Sequence, residues 1–97
     1  MKMIEKKLKL DNGQITGYHI DLGKAPLIIL QAQKGYIMCG YLNMNTANKL
    51  GDIAGKVTGV KTFEDALHAT VIEVSDQAKK EGLTEGITAL VFLKKLL

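Results

Sequence analysis

Residues 27 to 42, LIILQAQKGYIMCGYL, limit most what this chain can fold into. Leu27–Gln31 and Tyr36–Leu42 read as a hairpin turning at Gln33-Lys34-Gly35, with Leu30 opposite Met38 and Ile29 opposite Cys39. Ile28, Leu30, Met38 and Leu42 then share one face, and Leu27, Ile29, Ile37, Cys39 and Tyr41 the other. Neither face is polar, so both need a cover. Helices from the same chain supply one. The other requires more of the chain or a second subunit, which predicts a homo-oligomer.

The first 22 residues predict another hairpin, around Asp11-Asn12-Gly13. A two-residue Asn-Gly loop would pair Leu8 with Gly17 and Ile4 with Asp21, mixing apolar and polar side chains. A three-residue loop with Gly13 left-handed pairs Leu8 with Thr16, Lys6 with Tyr18 and Ile4 with Ile20, and keeps the apolar residues together. The second register is preferred. Its other face, with Glu5 opposite His19 beside Lys7, Lys9 and Asp21, is expected to be wet.

Downstream, Asn45 is a cap for a short helix stopping at Gly51, and Ile53–Gly59 reads as a fifth strand. Thr62 with Asp65, and Thr70 with Glu73, have capping-box spacing and predict helices over 62–69 and 71–81, the second closed by Gly82. A last helix over 86–96 presents Ala89, Leu90, Leu93 and Leu97 on one side. Strands first and helices last predict an α+β two-layer sandwich. Its sheet is mostly antiparallel with about five strands, from two N-terminal hairpins plus one. Three to four helices gather mainly in the C-terminal half, and residues 1–97 form a single domain.

Charge and cysteine usage narrow the function classes. The net charge of +3 comes from lysine without a single arginine, which argues against nucleic acid. Lysines 79, 80, 94 and 95 read as solvated helix faces. A lone cysteine excludes an internal disulfide and any multi-cysteine metal site, and no metal is expected. MKMIEKKLKL lacks the apolar run of a signal peptide, and the uncharged stretch 25–33 is too short to span a bilayer. A reduced, cytoplasmic protein is expected, without a membrane partner.

Two stretches carry candidate chemistry. Cys39 is either a nucleophile or redox thiol, or a small buried hydrophobe. The run LGDIAGKVTGVKT, residues 50–62, fails as a phosphate loop. Leu50 stands where its first glycine belongs, and Val57 follows Lys56 in place of Ser or Thr. Gly59-Val60-Lys61-Thr62 leads into a capped helix whose free amides, with Lys61, suit a small anion. His19, His68 and Ser75 form no metal or hydrolase arrangement.

The segments KGYIMCGYLN, KLGDIAGKVTGVKTFEDAL and AKKEGLTEGITALVFL closely resemble the YunC-like proteins of bacteria and archaea, a family catalogued as a domain of unknown function, DUF1805. The resemblance covers residues 15–97 and is strongest over Lys34–Leu67. It implies a small, self-associating α+β protein and no assigned activity. The matches at Cys39-Gly40 and Gly51–Thr62 recur in the family, whereas Ala89-Leu90 departs from a more polar start to the last helix.

The leading expectation is a cytosolic, homo-oligomeric module that binds a small molecule or anion. Its pocket would lie between the end of the Cys39 strand and the Gly55–Thr62 segment, with Asn43, Asp52, Lys56, Lys61 and Thr62 as polar contacts. The cofactor is unknown. Two alternatives come from other classes: a thiol-dependent enzyme using Cys39, and a self-assembling structural protein.

Overall fold

A computed structural model describes residues 2–97. Six strands form one sheet in sequential order: β1 (Met3–Leu10), β2 (Gly13–Asp21), β3 (Pro26–Gln31), β4 (Tyr36–Met38), β5 (Ala54–Lys56) and β6 (Glu73–Val74). All neighbours are antiparallel except β4 and β5, which run parallel across helix α1 (Met44–Leu50). Helices α2 (Phe63–His68), α3 (Asp76–Lys80) and α4 (Ala89–Lys94) follow in the C-terminal half. The α+β class is as expected, with one strand more.

The main core lies between the sheet and the later helices. Ile15, Ile28, Leu30 and Ile37 meet Ala66, Phe92 and Leu93 there, all at most 2 % exposed. Gly17 leaves room for the Phe63 ring, since a Cβ on it would stand 2.7 Å from Phe63 Cε1. A second, smaller cluster on the opposite sheet face joins Met38 and Ala54 to Met44 and Ala47 of α1. The doubly apolar β3–β4 hairpin thus receives its second cover over β4 from its own chain.

Both hairpins differ in register from expectation by one residue. Leu8 pairs with Ile15, Lys6 with Gly17 and Ile4 with His19, while Leu30 pairs with Ile37 and Ile29 with Met38. In each case the glycine stands beyond the loop tip rather than in it. A Cβ on Gly35 would overlap the Ile53 carbonyl oxygen, and one on Gly13 would lie 3.0 Å from Leu97 Cδ1. These glycines permit close approach of other segments. The first turn is also docked: Asn12 Nδ2 donates to the Lys94 carbonyl at 2.9 Å, and Lys94 Nζ donates to Asp11 Oδ2 at 2.9 Å. Tertiary contacts at the end of α4 override the local turn preference.

The register change moves His19. It stands opposite Ile4 on the helix-covered side, edge-on to Phe63 with ring centroids 6.1 Å apart, and Glu5 faces Tyr18 instead.

Helix limits follow the caps. Asn43, not Asn45, caps α1, its Oδ1 accepting from Asn45 N at 2.7 Å, and Gly51 ends the helix at φ 75°. Thr62 caps α2 as expected. Thr70 caps nothing: it bridges Thr88, and Val71–Val74 runs extended into β6. The helix starts later, at Asp76 with Ser75 as its cap, and the β-branched residues before Ser75 favour a strand. Gly82 follows its end at φ 82°. The last helix is shorter than 86–96, capped by Thr88, and buries Ala89, Phe92 and Leu93, while Leu90 and Leu97 are half-buried.

Candidate functional site

Strand β4 ends at Met38 because of what Cys39 does next. By register Cys39 falls opposite Ile28, where another rung would form. Its thiol takes that place, Sγ accepting the Ile28 N–H at 3.4 Å, while its carbonyl accepts from Leu42 N at 3.2 Å in a turn. The chain therefore swings away from β3 at Gly40-Tyr41. Tyr41 reaches back, its hydroxyl donating to the Ala25 carbonyl at 3.2 Å.

The Gly59–Lys61 loop faces this turn. Gly59 sits at φ 72°, a left-handed position where other residues are strained. The Lys61 backbone is held on both sides: its N–H donates to Asp65 Oδ2 at 3.2 Å, and its carbonyl lies 3.2 Å from His19 Nε2. Val60 is buried, whereas Lys61 is exposed and, among the described residues, has no ion-pair partner.

Between these two segments lies a cavity of about 270 Å³, walled by Pro26, Cys39, Tyr41, Gly59, Val60 and Lys61. Its lining is mainly apolar, with the one amine at Lys61. Such a site suits a ligand smaller than most drugs, with an apolar body and one anionic group.

The expected contact residues do not converge. Lys61 lines this cavity. Asn43 and Lys56 line a separate, polar depression with Glu73, whose carboxylate is 4.0 Å from Lys56 Nζ. Asp52 lies at the other end of the parallel pair β4–β5, where it accepts the Tyr36 hydroxyl at 2.7 Å. Thr62 Oγ1 is used by Asp65 N at 3.0 Å, and the Asp65 carboxylate already occupies the start of α2. The chain's own acid thus takes the Lys61 amide, one of the backbone donors leading into that helix. Pro26, Tyr41 and Val60 were absent from the expected contacts, because apolar wall residues carry no local signal of a cavity.

Cys39 is 4 % exposed and forms no hydrogen bond with either histidine. His68 pairs instead with Glu64, 3.9 Å away. The thiol is not joined to a base as a nucleophile would be. Among the described residues no group of three His, Cys, Asp or Glu side chains is placed to hold a metal ion. No helix among them is long and apolar enough to cross a membrane.

Residues 38–96 match the family described as a domain of unknown function, DUF1805, and the chain belongs to that family. The chain is 27 % identical over 94 residues to the uncharacterized protein YunC of Bacillus subtilis, covering 93 % of each. It is similar to the crystal structure of TA1206, a protein of unknown function from Thermoplasma acidophilum. There the TM-score is 0.93 at 43 % identity, over 99 % of this chain and 94 % of that one.

Proposed function

We propose that this DUF1805 protein is a cytosolic small-molecule-binding module. Its ligand enters the cavity between Cys39–Tyr41 and Gly59–Lys61. The observation that carries this reading is the apolar cavity of about 270 Å³ with an unpaired lysine at its margin. Pro26, Cys39, Tyr41 and Val60 give it an apolar lining, and the Lys61 amine attracts a carboxylate or phosphate-sized anion. A thiol-dependent enzyme fits less well, because Cys39 is buried and its sulfur is engaged by Ile28 N–H.

Equilibrium binding of phenylacetate to the native chain, followed by isothermal calorimetry, tests the proposal. A dissociation constant of about 1 mM is expected for so small a probe. Lys61→Met is expected to weaken it, and added salt to do the same in the parent only. Binding unaffected by Lys61→Met, or no preference over the uncharged amide of the same acid, contradicts the assignment.

A further inference from the structure

The outer edge of β1 carries a second, independent feature. Asp21 N donates to the Lys2 carbonyl at 2.9 Å, which sets the alternation along this pair. Residues at even positions turn their backbone groups toward β2, so Glu5, Lys7 and Lys9 turn theirs outward. Among the described residues nothing pairs with that edge. Eight residues of open ladder are long for an edge strand, and its lysines guard it against a like-charged copy.

Beside the edge runs a groove of about 390 Å³ between β1 and helices α2 and α4. Leu8, Phe63, Leu67 and Leu90 give it an apolar floor, and Lys6 and Lys9 stand on its margin. Of its two acids, Asp11 is paired with Lys94, while Glu64, 3.9 Å from His68, is neutralised only when that imidazole is protonated; either way Lys6 and Lys9 outnumber it. The charge left over is that of lysine.

We propose that β1 accepts an extended acidic segment of a partner protein as an added antiparallel strand. Its alternate apolar side chains enter the groove over Leu8 and Phe63, and its Asp or Glu side chains lie against Lys7 and Lys9. The open backbone groups supply affinity and the alternating side chains supply specificity. A second copy of this chain fits the same edge poorly. Each β1 would bring Lys6, Lys7 and Lys9 against a single Glu5, placing like charges across the seam.

Amide exchange of the full chain by NMR tests this, using a nine-residue acetylated peptide that alternates glutamate with leucine and valine. With free peptide at about ten times its dissociation constant, exchange at Glu5, Lys7 and Lys9 should slow about tenfold. Lys6 and Leu8, already bonded to β2, should not change. The double variant Lys7→Glu/Lys9→Glu should weaken binding about tenfold, and Lys7→Pro should abolish it by removing an outward donor. No protection by the peptide, or equal binding of its lysine counterpart, overturns the proposal. Protection that rises with protein concentration alone also overturns it, since the occupant is then a second copy.

Discussion

The sulfur of Cys39 lies 3.4 Å from the backbone nitrogen of Ile28 and replaces a carbonyl as the next rung between β3 and β4. This substitution ends the strand and opens the turn that walls the cavity. Cys39→Ala leaves the Ile28 N–H buried without an acceptor and should cost about 1–3 kcal/mol of stability in urea unfolding. Cys39→Ser keeps an acceptor and should lose less. Alkylation of the parent by a bulky maleimide should be slow in the native state and fast in denaturant. Rapid native alkylation would show that the thiol is not held in this way.

Tyr36 donates to Asp52 at 2.7 Å, and its phenol is pushed up to about 12 by burial first, then by the hydrogen bond to Asp52 and that carboxylate's charge. The folded state therefore holds the phenolic proton more tightly than the unfolded chain, whose tyrosine titrates near 10. The stabilisation is fully present below pH 10 and is lost as pH rises through 12. The parent should exceed Tyr36→Phe by about 1 kcal/mol near pH 8. That gap should close between pH 10 and 12 in denaturant titrations. A gap that is constant across this range contradicts the pairing.

Ser75, the chain's one serine, is fully buried and ties three segments together. Its hydroxyl donates to the Asp52 carbonyl at 2.7 Å and accepts from Ala54 N at 3.0 Å and Ala78 N at 3.2 Å. Ser75→Ala orphans a buried N–H of β5 and uncaps α3, at a cost of about 2–4 kcal/mol by chemical denaturation. A loss under about 0.5 kcal/mol would mean that the hydroxyl is dispensable.

Gly17 and Phe63 form a fitted pair across the main core. Gly17→Ala should destabilise by about 1–3 kcal/mol through overpacking. Phe63→Leu in the same chain should recover part of that loss, giving a measurable coupling in a double-mutant cycle. Strict additivity of the two changes contradicts the contact.

The fold class, one N-cap and two helix-ending glycines were legible in the sequence because they rest on local chemistry: Thr62 before Asp65, Gly51 and Gly82 after helices. The registers were not, because Gly13 and Gly35 answer to Leu97 and Ile53, residues far along the chain. Thr70 with Glu73 has the spacing of a cap, yet β5 claims that stretch, Ile72 N donating to the Lys56 carbonyl and Ser75 N to that of Ala54. For the site, the two facing segments and Lys61 were legible as polar, glycine-rich loops beside apolar strands. The separation of Asp52 from Lys61 was not, since it depends on the parallel course of β4 and β5.

The location of bound phenylacetate tests the central claim most directly, read from amide shift changes in a labelled-protein titration. Saturating changes confined to Cys39–Tyr41 and Gly59–Lys61, and requiring more ligand in Lys61→Met, are the predicted result. Changes centred on Asn43 and Lys56, on Asp52, or on no defined region would contradict it.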